Sequence, residues 1–143
     1  MKKRNLVLVG TLLAVALAAP AVASAQSMDG RWQAALMLNG YRCTFDLVMN
    51  AGRYREVVQS GGLMTMQSGI YTLSGNVLVR TVLDFEPKYR YVVDARSRHG
   101  RGGHYERNAT PPGGSFTVTF ISPDAMHWQD VNFGGTITFQ RVP

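Results

Sequence analysis

Apolar and polar residues alternate one by one along much of the chain after residue 30. The clearest segment is Tyr41–Met49, in which an apolar or aromatic residue or the single cysteine occupies every second position. Side chains two positions apart share a face of a β-strand, so a period of two predicts strands with one apolar face. We see no convincing helical period in residues 26–143, and we therefore predict an all-β protein.

Turn-forming residues divide residues 26–143 into eight to ten short strands. The turns are marked by Asn50-Ala51-Gly52, Ser74-Gly75-Asn76 and Ser122-Pro123-Asp124. Gly69 interrupts one apolar segment and predicts a kink or bulge there. The predicted strands are Trp32–Leu38, Tyr41–Met49, Arg53–Gln59, Leu63–Gln67, Ile70–Leu73, Val77–Asp84, Tyr89–Val93, Phe116–Ile121, Met126–Asp130 and Thr136–Arg141.

The links between these strands are mostly too short for parallel crossovers, which need a dozen or more residues. The sequence therefore predicts an antiparallel meander. A meander of this many strands protects its edges best by closing into a barrel. A two-layer β-sandwich is the alternative architecture.

The first 25 residues have the pattern of a secretory signal peptide. Lys2, Lys3 and Arg4 precede an apolar run from Leu6 to Ala19, and the small residues Ala23-Ser24-Ala25 form a cleavage site. The run is shorter than the roughly 20 residues of a membrane-spanning helix. We therefore expect residues 1–25 to be a leader, residues 26–143 to be one β-barrel domain, and the protein to be periplasmic or secreted in a bacterium.

The net charge and the cysteine content argue against some classes of protein. Half of the formal net charge of +6 belongs to the three cations of the leader, so the remaining charge is ordinary for a soluble domain and does not indicate nucleic acid. The single cysteine, Cys43, cannot form an internal disulfide. It alternates in step with its apolar neighbours, which favours burial over pairing with another chain.

Gly30-Arg31-Trp32 stands at the start of the first predicted strand. This tripeptide resembles the Gly-x-Trp motif of the lipocalins and related small secreted barrels. The resemblance implies a lipocalin-like barrel in which the tryptophan closes one end. It also implies that a basic residue of the last strand packs across the indole ring, and Arg141 occupies that position.

The sequence favours a non-catalytic protein. It contains no Gly-x-Ser-x-Gly elbow for a nucleophile. Asp84 and Glu86 could share an acid–base role, although Lys88 beside them favours a polar turn. The Met64-x-Met66 pair could bind Cu(I), but methionines more often fill apolar gaps. We therefore predict no catalytic residue, no metal and no cofactor.

The most distinctive stretch runs from Arg96 to Gly114 and is rich in arginine, histidine and glycine. Its length exceeds that of a hairpin turn, and it is predicted as a loop. Its arginines around Tyr105 would suit an anionic group, and the loop is also a candidate surface for a protein partner.

Apolar side chains pointing into a small barrel either pack solidly or surround a ligand. Val79 and Phe139 are among the predicted inward residues. The leading hypothesis is a binding protein for a small apolar or amphiphilic molecule, and the alternative is a protein-interaction or inhibitor-type envelope module using residues 96–114. The predicted ligand-binding residues are Trp32, Tyr41, Phe45, Tyr91 and Trp128 as lining, with Arg98, Arg101 and His104 at the mouth for an anionic head.

Overall fold

The computed structural model describes residues 26–93, 102–132 and 134–143 of the chain. These ranges form ten β-strands and contain no helix, which confirms the all-β prediction. The strands are β1 (Gly30–Leu38), β2 (Tyr41–Asn50), β3 (Arg53–Ser60), β4 (Leu63–Ser74), β5 (Val77–Glu86), β6 (Tyr89–Val93), β7 (Gly103–Arg107), β8 (Gly114–Ser122), β9 (Ala125–Asp130) and β10 (Thr136–Val142).

Eight of the strands close into an antiparallel barrel in the order β1-β10-β9-β8-β5-β4-β3-β2. Each barrel strand pairs with the next barrel strand along the chain, and β10 returns to β1 through three residue pairs, Arg31–Gln33 with Gln140–Val142. The predicted meander and barrel are confirmed, and the sandwich alternative is excluded. Strands β6 and β7 form a separate two-stranded hairpin inserted between β5 and β8.

The barrel has two ends, which we name by a residue at each. The Trp32 end holds the start of β1, the β2–β3 turn and the β4–β5 turn. The Phe85 end holds the β1–β2 turn, the β3–β4 turn and the exit of β5 into the hairpin. Among the described residues, no helix is long and apolar enough to cross a bilayer.

Large side chains fill the barrel interior. Each fully buried leucine, methionine or aromatic side chain contributes about 1.5–3 kcal/mol relative to an exposed one, so this cluster is the main source of stability. The largest fully buried side chains are Trp32, Trp128, Phe139, Leu47, Met49, Leu78 and Met126.

Gly69 lies at a register shift between β4 and β5, so the predicted bulge is confirmed within one continuous strand. A Cβ atom at this position would lie 1.9 Å from the carbonyl oxygen of Thr81 and 3.1 Å from the ring of Tyr54. Only glycine allows the two strands to approach so closely here.

The sequence assigns Val79 and part of the Arg96–Gly114 segment incorrectly. Val79 was predicted inward but is 43% exposed, whereas its neighbours Leu78 and Arg80 are buried. Arg80 faces inward because it meets an acidic partner, Glu56, inside the barrel, and Val79 therefore faces outward. The predicted loop from Arg96 to Gly114 contains strand β7, because Gly103–Arg107 pairs residue by residue with β6.

Cys43 is buried, as its place in the alternation predicts. Its sulfur lies 2.9 Å from the hydroxyl oxygen of Ser60 on the neighbouring strand. The thiol is therefore part of the β2–β3 packing and is shielded from solvent.

Candidate functional site

The Trp32 end of the barrel is closed by Arg141. Its guanidinium carbon lies 4.2 Å from the centroid of the Trp32 ring, as the lipocalin resemblance implies. The same guanidinium donates to the carbonyl oxygens of Asp29 and Ser27, and the Trp32 indole donates to the carbonyl of Met28 at 2.8 Å. These bonds fasten the segment before β1 across the opening at this end of the barrel.

A buried ion pair occupies the middle of the barrel. Arg80 on β5 donates to Glu56 on β3 at 3.0 Å, with side-chain exposures of only 7% and 6%. Gln67 on β4 donates to the other oxygen of Glu56 at 2.6 Å. Glu56 is therefore held by two donors from two different strands, which offsets part of the cost of taking its charge out of water.

Three aromatic rings surround the guanidinium of Arg80. Its central carbon lies 5.0 Å from the Tyr54 ring, 4.8 Å from Phe116 and 5.4 Å from Trp128. The buried Tyr54 hydroxyl and the Arg80 Nε have no hydrogen-bond partner among the described residues. Burial raises the pKa of Tyr54, and the nearby Arg80 charge opposes that rise only in part. The centre of the barrel is thus a packed, partly polar core.

A pocket of about 300 Å³ opens at the Phe85 end, between strands β3 to β5 and the segment that follows β7. Its volume is at the lower limit of small-molecule pockets. Phe85 itself is only 8% exposed and forms part of the inner wall. The apolar lining consists of Val58, Met66, Phe85, Pro87, Ala109 and Pro111.

The polar lining of this pocket is Thr65, Gln67, Glu86 and Asn108. Gln67 points its amide nitrogen at Glu56, and Asn108 points its amide nitrogen at the carbonyl of Pro87 at 2.8 Å. Both partners can only accept hydrogen bonds when Glu56 is ionised, so each amide must present its nitrogen to them. Neither amide oxygen has a partner within the described ranges.

A larger depression of about 710 Å³ lies on the outer surface of β10, β1, β2 and β3. Most of its lining residues point away from the barrel interior and are polar, for example Gln33, Thr44 and Gln140. At its edge, Arg31 donates two hydrogen bonds to Asp46 at 2.8 and 2.7 Å. This surface offers less apolar enclosure than the pocket at the Phe85 end.

The predicted lining residues do not converge on one cavity. Trp32 is buried at the closed end, and Tyr41 is 61% exposed at the β1–β2 turn. Phe45 and Trp128 both contact Phe139, with ring centroids 6.3 and 4.9 Å apart, and so belong to one aromatic cluster. None of the five lines the pocket at the Phe85 end.

The other predicted residues lie on or near the hairpin. Tyr91 on β6 packs edge-on against Tyr105 on β7, 5.2 Å between centroids. The His104 ring lies 3.1 Å from Glu106, and this contact, followed by that of Arg90, lowers the pKa of the Glu106 carboxyl. Arg98 and Arg101 lie outside the described residues.

The residues considered for acid–base chemistry and for Cu(I) binding lie on the described part of the chain. The ammonium of Lys88 lies 3.0 Å from Asp84 and holds the pKa of that carboxyl below its usual value, which makes Asp84 a poor proton donor at neutral pH. Met64 is 64% exposed. Within the part of the chain that the structure describes, no three histidine, cysteine or acidic side chains come together as a metal site.

Sequence reasoning missed Val58, Thr65, Gln67 and Asn108 as pocket residues. The strands carrying the first three were predicted, but their convergence with the segment after β7 depends on the hairpin insertion. The one available signal was Phe85, an aromatic residue between two acids at the end of a strand. No protein-family model matches this chain, and a search of curated proteins finds no match.

Proposed function

We propose that the protein is a non-catalytic, lipocalin-like binding protein for a small amphiphilic molecule, exported by its N-terminal leader to the periplasm or beyond. The observation that carries the proposal is the pocket at the Phe85 end. It combines an apolar wall formed by Val58, Phe85 and Pro111 with the polar side chains of Thr65, Gln67 and Asn108.

The closed end and the packed centre restrict where a ligand fits. Arg141 and Trp32 block one opening, and the Arg80–Glu56 pair fills the middle. The proposed ligand therefore occupies the mouth of the barrel rather than its full length. A volume of about 300 Å³ matches a short chain or a single ring, not a long fatty acid.

Two tryptophan substitutions test this location. Ala109 and Ala35 are both exposed, and they line the pocket at the Phe85 end and the outer depression respectively. We expect octan-1-ol, octylammonium or octanoate to shift backbone amide NMR signals of Val58, Thr65 and Asn108 in the wild type. Ala109→Trp is expected to abolish those shifts, whereas Ala35→Trp leaves them unchanged.

Two results would contradict the proposal. If none of the three probes bound up to its solubility limit, the protein would not be a binder of small amphiphiles. If Ala35→Trp, rather than Ala109→Trp, abolished binding, the outer depression would be the site.

A second candidate function, a protein-interaction module, is favoured by the exposed hairpin. Tyr89, Tyr91 and Tyr105 are 58%, 53% and 73% exposed on β6 and β7, outside the barrel. A photo-crosslinking residue at position 105 should then capture one specific envelope protein, and Tyr91→Ser should suppress the adduct. Equal labelling from position 119 on β8 would remove this candidate.

A further inference from the structure

We propose that the Phe85 end of the barrel docks on an anionic phospholipid bilayer, with the β1–β2 and β3–β4 turns inserted among the lipid headgroups. This inference goes beyond the proposed function and does not depend on it. The surface concerned, which we name the apolar rim, consists of Met37, Leu38, Tyr41, Leu63 and Met64.

The side chains of the apolar rim are large and open to solvent. Their exposures lie between 51% and 75%. They flank two tight turns, at residues 38–41 and 60–63. The turns lie side by side, because a Cβ atom at Gly61 would be 3.1 Å from the Tyr41 ring. Exposed apolar side chains that cluster in this way mark a site of contact with a protein or a membrane.

The turns at the opposite end of the barrel are polar, although the strands are connected there in the same way. The β2–β3, β4–β5 and β8–β9 turns contain Asn50-Ala51-Gly52, Ser74-Gly75-Asn76 and Ser122-Pro123-Asp124. Glycine, proline and small polar residues are sufficient to form such turns. Turn formation therefore does not explain the leucine, methionine and tyrosine side chains of the apolar rim.

The charge beside the apolar rim is complementary to lipid phosphates. Arg42 is exposed and directly follows Tyr41. Together with Leu63 and Met64, it lines a depression of about 410 Å³ between the two turns. Residues 37–42 and 60–64 contain no acidic residue. A cation next to exposed apolar side chains is the combination that binds an anionic membrane surface.

The acidic residues at this end of the barrel restrict the orientation. Asp84 and Glu86 lie 3.0 and 3.9 Å from the ammonium of Lys88, which offsets part of their charge. Asp130 lies at the β9–β10 turn, which is not part of the apolar rim. Because these carboxylates are repelled by lipid phosphates, we expect the bilayer to contact the β1–β2 and β3–β4 turns.

A bilayer suits this surface better than a protein partner does. The strongest contacts of protein interfaces fill well-packed pockets, whereas the apolar rim projects from the tips of two turns. The headgroup region admits apolar side chains to a depth of about 5–10 Å without a matching shape. Tyrosine is enriched at that depth, and arginine binds phosphate through two parallel hydrogen bonds. In this orientation, the end of the barrel that holds the pocket faces the lipid.

Fluorescent labels at the two ends of the barrel test the orientation. Cys43 is buried, so an exposed cysteine introduced elsewhere can be labelled selectively with the polarity-sensitive dye NBD. Leu63→Cys labels the apolar rim, and Ile121→Cys labels an exposed position beside the β8–β9 turn. Vesicles of equal parts phosphatidylglycerol and phosphatidylcholine should shift the emission to the blue at position 63 and leave it unchanged at position 121.

Sedimentation of the full mature protein with the same vesicles measures its affinity for them. Leu63→Ser should weaken binding about tenfold, because a large apolar side chain is no longer buried in lipid. Ile121→Ser is the matched control and should bind like the wild type. Arg42→Gln should weaken binding about fivefold through loss of its phosphate contact, whereas Arg53→Gln, at the opposite end, should have little effect. Vesicles of phosphatidylcholine alone should bind the wild type more weakly.

Several results would overturn the proposal. The first is no binding to anionic vesicles, and the second is equal affinity for anionic and neutral vesicles. Equal emission changes at positions 63 and 121, or equal losses in Leu63→Ser and Ile121→Ser, would also contradict it. A blue shift at position 63 that grew with protein concentration in the absence of lipid would assign the apolar rim to a contact between two copies of the chain. The amphiphile titrations of the pocket contain no vesicles, so failure of the binding function and failure of bilayer docking are distinguishable.

Discussion

Arg80 and Glu56 face each other across the inside of the barrel, 3.0 Å apart and both less than a tenth exposed. The two residues come from β5 and β3, which flank β4 on either side, so this contact links two strands that are not paired with each other. Because Gln67 on the intervening strand also binds Glu56, three strands share one polar connection.

Removal of one member of this pair should be far more damaging than removal of both. Arg80→Met leaves a buried carboxylate with only Gln67 as partner, and we expect a loss of about 3–5 kcal/mol in the free energy of unfolding. The double variant Arg80→Met/Glu56→Leu should recover most of that loss, since no charge then remains buried. Urea unfolding of Arg80→Met, Glu56→Leu and the double variant measures the coupling free energy between the two residues. If the losses in the two single variants simply added up in the double variant, the proposed role of the pair would be contradicted.

The buried Tyr54 and the half-buried Tyr71 should respond differently to loss of their hydroxyl groups. The Tyr54 hydroxyl has no partner among the described residues, whereas Tyr71 donates to Asp29 at 3.1 Å. Tyr54→Phe should leave stability unchanged or raise it, because it removes an unpaired polar group. Tyr71→Phe should cost about 1 kcal/mol. Thermal unfolding measures both variants. If Tyr54→Phe lost as much stability as Tyr71→Phe, the Tyr54 hydroxyl would have to be hydrogen-bonded.

Arg141 should require its guanidinium group and not merely its charge. Arg141→Lys keeps the charge but loses the planar group that stacks on Trp32 and bonds two carbonyls, and we expect a loss of about 2 kcal/mol. Arg53→Lys, at an exposed position with no ion pair in the described ranges, is the control. Denaturant unfolding measures the stability of both variants. Equal stabilities for Arg141→Lys and Arg53→Lys would contradict the closure of the barrel by Arg141.

The Arg31–Asp46 pair should make stability depend on acid pH. The hydrogen bonds from Arg31 are the main cause of the lowered pKa of Asp46 in the folded protein. The contribution of the pair is therefore present above the pKa that Asp46 has in the unfolded chain. It is lost as the pH falls through the lower, folded value.

Arg31→Gln should raise the pKa of Asp46 toward its ordinary value, which a carboxyl-carbon NMR titration measures directly. The stability difference between wild type and variant should be present at neutral pH and disappear in acid. Arg53→Gln, which removes a cation outside this pair, should leave the Asp46 titration unchanged. A lowered Asp46 pKa that persisted in Arg31→Gln would assign the shift to another group.

The residue pattern was most informative where one face of a strand is uniformly apolar. On β2 the alternation from Cys43 to Met49 correctly identified the inward side, because neighbouring side chains must point to opposite faces. On β5 the outcome was different. Both faces carry apolar residues, so periodicity alone could not choose between Val79 and its neighbours.

The buried charge explains that failure on β5. Sequence reasoning treats arginine as a surface residue, and Arg80 can face inward only because Glu56, 24 positions earlier, meets it there. The sequence analysis missed β7 for a similar reason, because this strand depends on pairing with another segment. Its residues have little intrinsic strand preference, and they form a strand because β6 lies alongside them.

The sequence by itself determined the all-β class, the antiparallel order and the position of the Gly69 bulge, and the resemblance to lipocalins implied the stacking partner of Trp32. These properties follow from local alternation, turn chemistry and one short motif. The tertiary structure alone decided which face of β5 turns inward and where the pocket lies. Those properties arise from contacts between residues far apart in the chain, and a local sequence pattern cannot predict such contacts.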